Sequence, residues 1–195
     1  MIRWADQRSR MKTKILFAAL SLASTAAGQT VPVHDDGVFF DDKRLKLPVA
    51  EGEFEKVVGG APERHQELAD EYSNRVFHWL NLGIVAFSNP NTRRVHAIEF
   101  LFAKPPYWGG VVFRGTLVVN GHEITPEMPV ASLKDVGFRN SRAGWRWEQG
   151  CMYVLVDSFD GEAISSVEIG REETNAVVPS RLKRPATAPC AQKDN

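Results

Sequence analysis

Apolar runs separated by turn residues begin after residue 37 and predict strands. Val38–Phe40 and Leu45–Leu47 flank the turn-forming segment Asp41–Lys43, which is the pattern of a β-hairpin. The stretch before the hairpin, Thr30–Gly37, is expected to be a flexible lead-in, because terminal segments are ordered only when something holds them in place.

Helical spacing follows the hairpin. Phe54, Val57 and Val58 lie three and four residues apart, and Gly59 stands where a helix commonly ends. This pattern predicts one short amphipathic helix. The charged stretch Glu63–Asn74 predicts either a second short helix or a loop.

Strand patterns return at residue 75. Arg75–Leu80 and Ile84–Phe87 lie on either side of the turn Asn81–Gly83. In Val95–Phe102 the large apolar side chains occupy alternate positions, so this strand is expected to have one strongly buried face.

Two later turns have the composition of hairpin turns. Phe113–Val119 leads into Asn120-Gly121, a pair that accepts positive φ at both positions. Cys151–Phe159 and Ala163–Ile169 repeat this arrangement around Asp160-Gly161. The predicted fold class is α+β: mainly antiparallel sheet with one or two short N-terminal helices.

The length of 195 residues fits one compact domain, because a chain of this size buries about 70% of its unfolded surface in a single core. We predict that domain over residues 38–170, followed by a flexible tail at 179–195 that is rich in Pro, Ala and charge. The composition, with 43% hydrophobic residues and 15 Gly, excludes collagen-like and fully disordered classes.

The N-terminal residues carry the pattern of an export signal. Two lysines precede the short apolar run Ile15–Ala23, and the small residues Ser24–Gly28 follow it. We expect residues 1–28 to be removed as a signal peptide, with residues 1–10 a mis-assigned start ahead of Met11. The apolar run is shorter than the roughly 20 residues that a spanning helix needs, so no stable membrane span is expected. The product is predicted to be periplasmic or secreted.

The charge balance argues against a nucleic-acid partner. The whole chain has a net charge of zero, and removing the first 27 residues leaves a net charge of minus four. Binding to phosphate backbones needs a concentrated positive field. The one basic cluster, Arg181, Lys183 and Arg184, lies in a Pro-containing tail and is expected to be solvated.

The two cysteines, Cys151 and Cys190, are predicted to form a disulfide, because an exported chain meets an oxidising compartment. Such a bond would close a loop of about 40 residues and stabilise the fold by about 4 kcal/mol in the chain-entropy model. The alternative is two unpaired thiols, since the tail need not approach residue 151.

Motifs for known chemistries are missing from the sequence: it has no Gly-rich phosphate loop, no GxSxG, no HExxH and no CxxC. Asp157, Asp160 and Glu162 crowd around one turn and are interpreted as a solvated hairpin tip. We expect no catalytic residue, no metal site and no cofactor, and the chain is not predicted to be an enzyme. The histidines are scattered without ligand spacing: His34, His65, His78, His96 and His122.

Aromatic residues near turns are the candidates for partner binding. Large aromatics and arginine dominate protein interfaces because they bury much area at little entropy cost. The alternative is that the tryptophans cover the ends of the core. The predicted partner-binding residues are Tyr107, Trp108, Trp145, Arg146, Trp147 and Glu148.

The segments KRLKLP, GEFEKVVGGAPER, FHWLNLGI and FRGTLVVNGHEI occur in this order. Together they resemble an uncharacterised bacterial domain family in which a hairpin and a short helix precede an antiparallel meander. The resemblance spans Val38–Ile124. It implies the architecture and no active site. The residues that carry it are Gly59, Gly60, Pro62, Trp79, Gly83, Gly115, Asn120 and Gly121.

Families of this kind resemble exported immunity and inhibitor proteins, which implies a protein partner. The hypothesis is an exported binding protein that blocks an envelope-acting toxin or hydrolase through its aromatic loops. One alternative is a small periplasmic hydrolase or metal-dependent enzyme whose histidines are brought together by folding. A second alternative is an envelope assembly or scaffold module.

Overall fold

The computed structural model describes residues 29–35, 37–67, 74–106 and 108–172. No helix among these residues is long and apolar enough to cross a membrane. The strands and helices, in chain order, are β1 Thr30–His34, β2 Gly37–Phe40, β3 Lys43–Leu45, β4 Val49–Ala50, α1 Glu51–Val58, β5 Arg64–Glu67, β6 Arg75–Trp79, β7 Ile84–Asn89, β8 Arg94–Leu101, β9 Thr116–Val119, β10 His122–Ile124, a 3-10 helix Val130–Val136, β11 Arg139–Ser141, β12 Gly144–Gln149, β13 Met152–Asp157 and β14 Ser166–Arg171.

These strands form two sheets. The small sheet has the order β10-β9-β1-β2-β3, and the large sheet has the order β11-β12-β13-β14-β8-β7-β6-β5, with β4 paired to the first residues of β8. All pairings are antiparallel except that of β1 with β9. The predicted α+β class, mainly antiparallel sheet with short helices, is therefore confirmed.

Turn chemistry accounts for the hairpins of the small sheet. Asp41 and Asp42 both have positive φ, 45° and 63°, and they join β2 to β3 as predicted. Asn120 and Gly121 do the same between β9 and β10, with φ of 52° and 77°. Turns with two positive φ values match the right-handed twist of the flanking strands, so these residues set the register of both hairpins.

The predicted helix is α1, which buries Phe54 on its inner side. Gly59 ends the helix in the left-handed conformation, with φ of 108°, and its N–H donates to the carbonyl of Glu55 at 3.1 Å. The 3-10 helix ends in the same way at Gly137, with φ of 97°. This second helix was not anticipated by the sequence pattern.

Two predictions about strands are wrong, and a third is incomplete. Thr30–His34 is strand β1 rather than a flexible lead-in, because β2 and β9 pair with it on its two sides. The charged stretch contains strand β5, whose exposed residues pair with β6 through backbone hydrogen bonds that need no apolar pattern. Strand β8 has the predicted strongly buried face, with Ile98 and Phe100 fully buried, but Leu101 is also buried on its other face.

The C-terminal strands also depart from the predicted turn. Asp160-Gly161 lies within a longer loop between β13 and β14 and is not a two-residue hairpin turn. Oδ1 of Asp160 accepts hydrogen bonds from the backbone N–H groups of Glu162 at 2.8 Å and Ala163 at 3.0 Å. These bonds lower the pKa of the Asp160 carboxyl. Asp160 therefore holds the loop together.

The main hydrophobic core joins the two sheets. Phe40 of β2 stacks on Phe100 of β8 with ring centroids 5.9 Å apart, and it meets Phe54 of α1 edge-on at 6.3 Å. A second, smaller apolar cluster lies on the opposite face of the large sheet. We call that opposite face the outer face.

A buried ion pair ties α1 to the large sheet. Arg75 of β6 is 8% exposed, and its Nη1 donates to both carboxylate oxygens of Glu51 at 2.5 Å. The hydroxyl of Ser88 on β7 donates to Glu51 Oε1 at 2.6 Å. Arg93, whose side chain is 59% exposed, lies 4.0 Å from the same carboxylate. Glu51 therefore has one buried and one exposed arginine partner.

This pair gives a stability prediction. Arg75→Met should lower the free energy of unfolding by about 3 kcal/mol, because it leaves the Glu51 carboxylate without its buried partner. The matched variant Arg93→Met removes an exposed arginine from the same carboxylate and should cost less than about 1 kcal/mol. Urea unfolding followed by circular dichroism measures both values. Equal losses in the two variants would contradict the asymmetry.

Candidate functional site

The predicted aromatic surface is wrong at its two central residues. Trp147 is 7% exposed and belongs to the main core, because it alternates inward on β12 opposite Val154. Trp108 is 8% exposed, packs in the smaller apolar cluster, and donates its indole N–H to the carbonyl of Val111 at 2.8 Å. Neither indole is available to a partner in this structure.

The other predicted partner-binding residues divide between the faces of the large sheet. Trp145 is half-buried and packs against the main core. Arg146 and Glu148 alternate with the tryptophans on β12 and therefore lie on the outer face. The Arg146 guanidinium donates to Glu148 at 2.5 Å and to Glu172 at 2.8 Å. Tyr107 lies outside the described residues.

Two carboxylates face each other on the outer face. Glu99 of β8 and Glu168 of β14 are direct partners in the antiparallel register, and both are half-buried. Their neighbours along the strands, Ile98 and Ile169, are also direct partners and are buried in the core. Residues alternate between the faces of a strand, so the core pairing places Glu99 and Glu168 together outside. We call them the carboxylate pair.

A tyrosine contacts one member of the carboxylate pair. Tyr153 of β13 lies opposite Gly170, where a Cβ atom would come within 2.3 Å of the tyrosine ring, so only glycine leaves room for it. The Tyr153 hydroxyl donates to Glu168 Oε1 at 2.6 Å. The Arg146 guanidinium lies over the same ring, 4.7 Å from its centroid. Packing therefore fixes the position of this hydroxyl.

The surroundings of the pair disfavour negative charge. Burial raises the pKa of the Glu99 carboxyl, the Ser166 hydroxyl bonded to it lowers that pKa, and the charges of Glu168 and Asp157 raise it further. Burial likewise raises the pKa of Glu168 against the lowering effects of Tyr153 and Arg146. Burial, and then the charge of Glu168, raise the pKa of Tyr153 well above 10.

This arrangement is suited to holding a cation. Like charges directly opposite each other on neighbouring strands destabilise a sheet. Arg146, whose charge acts on Glu168, is itself hydrogen-bonded to Glu148 and Glu172. A partner's ammonium or guanidinium group placed against the carboxylate pair would relieve this repulsion. Perturbed carboxylates that contact a fixed hydroxyl mark a candidate functional site.

The alternative of a metal-dependent enzyme would need histidines that come together at one site. Among the described residues, no three His, Cys, Asp or Glu side chains come together in a way that could hold a metal ion. His78 lies on β6 and His96 at the bulge of β8.

Cys190 lies outside the described residues, so the Cys151–Cys190 disulfide stays a prediction.

Removing one charge of the pair should stabilise the protein. Glu99→Gln should raise the free energy of unfolding at pH 7.5 by about 1 kcal/mol, because it removes a partly desolvated charge opposite Glu168. The folded-state pKa of Glu99 lies above its ordinary value of 4.5. The stability linked to its protonation is therefore fully present below pH 4.5 and is lost as the pH rises through the folded-state pKa.

The gain from Glu99→Gln should consequently vanish near pH 4. Urea unfolding at both pH values measures this difference. Glu123→Gln, which changes an exposed residue of β10, serves as the matched control and should change stability at neither pH. A Glu99→Gln protein that is less stable than wild type at pH 7.5 would contradict the described electrostatics.

The comparisons with known proteins add a family and no function. No curated protein and no solved structure matches the chain. A domain of unknown function, DUF7738, matches residues 30–134, which is more than half of the chain and includes Glu99 but not Glu168. The sequence motifs predicted an uncharacterised domain family in this region. The chain belongs to the DUF7738 family.

Proposed function

We propose that this chain is an exported binding protein, of the immunity or inhibitor type, that blocks an envelope-acting protein by holding one of its basic side chains. The carboxylate pair, Glu99 and Glu168, receives that side chain. The observation that carries this proposal is the direct opposition of two half-buried carboxylates on the outer face. Its mechanism needs charge and shape complementarity and no turnover.

The energetic argument for a cationic ligand rests on the cost of the free state. The fold holds Glu99 and Glu168 in a position where burial disfavours both charges and the charge of Glu168 also disfavours that of Glu99. A bound cation replaces that repulsion with two attractions at the same place. Charge pairs that come this close at an interface couple by about 1.5 kcal/mol or more. The partner therefore gains affinity because its binding removes unfavourable electrostatic energy that is present in the free protein.

The residues beside the pair extend the binding surface. Tyr153 supplies a rigid aromatic ring with a fixed hydroxyl, and Arg146 and Glu148 present charges of both signs on the same face. Tyrosine and arginine are, together with tryptophan, enriched at the energetic centre of interfaces. Arg146 and Glu148 thus keep their predicted role, while the carboxylate pair replaces the buried tryptophans.

The proposal predicts how capture of a partner depends on charge. The mature chain should retain an envelope protein from extract, and the double variant Glu99→Gln/Glu168→Gln should lose at least about tenfold of that capture, since close charge pairs dominate such contacts. Carbodiimide, which joins carboxylates to amines, should link Glu99 or Glu168 to a lysine of the retained protein. Mass spectrometry identifies the linked peptides.

Two controls make this result specific. Glu123→Gln should capture the partner as wild type does, and 0.5 M salt should weaken capture by the wild-type chain because ions screen surface charges. Equal capture by wild type and the double variant would reject the carboxylate pair as the contact. Conversion of a substrate by the purified chain would instead favour the hydrolase alternative.

Export is the second part of the proposal and has its own prediction. Expressed from Met11, the chain should appear in the periplasmic fraction with its first residue near Gln29, because the preceding segment has the order of a cleaved signal. Leu20→Arg interrupts the apolar run and should leave the uncut chain in the cytosol. Intact mass spectrometry of both fractions measures processing. Uncut wild-type chain in the cytosol would contradict export.

A further inference from the structure

The smaller apolar cluster on the outer face contains one titratable ring. His78 of β6 lies between Arg64 of β5 and Val85 of β7 in the strand register. Its imidazole centroid is 5.5 Å from the ring centroid of Trp108. Trp108 covers the apolar side chains of this cluster, which are Val76, Val85 and Leu101 with the partly buried Leu80 and Phe87.

His78 as a residue is half-buried, but its two ring nitrogens are buried without hydrogen-bond partners in the part of the chain that the structure describes. Both ring nitrogens, Nδ1 and Nε2, are inaccessible to solvent and contact no donor or acceptor among the described residues. A neutral imidazole already leaves one donor and one acceptor unmatched in this position. Protonation would add a second donor and a positive charge to the same unmatched site.

The charged groups around His78 are of both signs, and the direct cross-strand neighbour is positive. Arg64 is the direct cross-strand neighbour, while Glu63 uses its carboxylate to accept the backbone N–H of Leu80 at 2.9 Å. On the other side, Val85 separates His78 from Glu99. Lys104 is exposed in the segment that leads to Trp108. Burial, and then the Arg64 charge, lower the pKa of His78 from its ordinary value of 6.5.

Trp108 belongs to a segment that is joined to the end of β6 by the bond from the Val111 N–H to the Leu80 carbonyl, at 2.8 Å. The indole N–H bonds to Val111 and the Trp108 backbone N–H bonds to Pro105, so both bonds stay within the same short segment. By contrast, β5, β6 and β7 are held by continuous backbone ladders on either side of His78. Water can therefore reach the imidazole at lower cost by displacement of the indole than by separation of strands.

We infer that His78 and Trp108 form an acid-sensitive switch: protonation of His78 displaces the Trp108 side chain and uncovers the apolar patch of Val76, Val85 and Leu101. The attraction between an imidazolium and an indole face opposes this step. It is outweighed by the unmatched donors and the nearby arginine. This inference concerns residues outside the carboxylate pair and does not depend on the proposed function.

The stability of the closed arrangement depends on pH in a definite direction. The pKa of His78 is lower in the folded chain than in the unfolded chain. The closed arrangement is therefore fully stable above pH 6.5, and its stability is lost as the pH falls through the folded-state pKa. Acid opens the switch and neutral pH closes it.

Hydroxyl-radical footprinting read by mass spectrometry tests the switch on the full chain between pH 7.5 and pH 4. Oxidation of Trp108 should rise about fivefold with acid, because a side chain that is 8% exposed would reach ordinary surface exposure. Trp79 and Trp147, which are 3% and 7% exposed in the main core, report any general unfolding and should not change.

The matched variant is His78→Phe, which keeps a ring beside Trp108 but cannot be protonated. His78→Gln is the second variant, in case phenylalanine prevents folding. In either variant Trp108 oxidation should be independent of pH, whereas Glu123→Gln, at an exposed residue of β10, should keep the wild-type response. A wild-type Trp108 that stays protected in acid overturns the inference. So does an acid response that persists in both His78 variants, or one that Trp79 and Trp147 share.

Discussion

The register between β8 and β14 is the constraint on which the outer face depends. Ile98 and Ile169 are buried as direct partners, and a strand alternates its side chains with a period of two. A slip of one residue would move every core side chain of one strand to the wrong face, so the core locks the register. This register places Glu99 directly opposite Glu168. The repulsion between two carboxylates is thus a consequence of burying two isoleucines, and hydrophobic burial is the larger effect.

The outer face has an apolar part and a separate charged part. Around β6 and β7 it is apolar and covered by Trp108, whereas around β13 and β14 it carries Tyr153 and the carboxylate pair. Gly170 links packing to chemistry, since its missing side chain leaves room for the Tyr153 ring, whose hydroxyl reaches Glu168. Proteins often tolerate locally unfavourable electrostatics where a ligand removes them. The carboxylate pair on the outer face is therefore a better candidate for a binding site than the buried tryptophans Trp108 and Trp147.

Local chemistry made part of the fold predictable from the sequence. The Asp41-Asp42 and Asn120-Gly121 turns and the glycine that ends α1 depend on residues next to each other, and the structure agrees. Strand β1 was missed because its partner β9 is remote in sequence, and the sequence does not show remote pairing. The prediction for Trp147 is wrong because the residue lies on β12, a strand that the sequence analysis did not predict. The carboxylate pair depends on the register of two separate strands, so each glutamate was visible but their opposition was not.

Strand β1 occupies the centre of the small sheet, between β2 and β9. Its parallel partner is made much later, since Thr30 pairs with Thr116. Contacts of such long sequence separation form slowly, because a large loop must close before they contribute. During synthesis, β1 and β2 can therefore pair early, but the other edge of β1 stays unpaired until β9 has been made. The export proposed above would require an unfolded chain, and this late completion of the sheet is compatible with it.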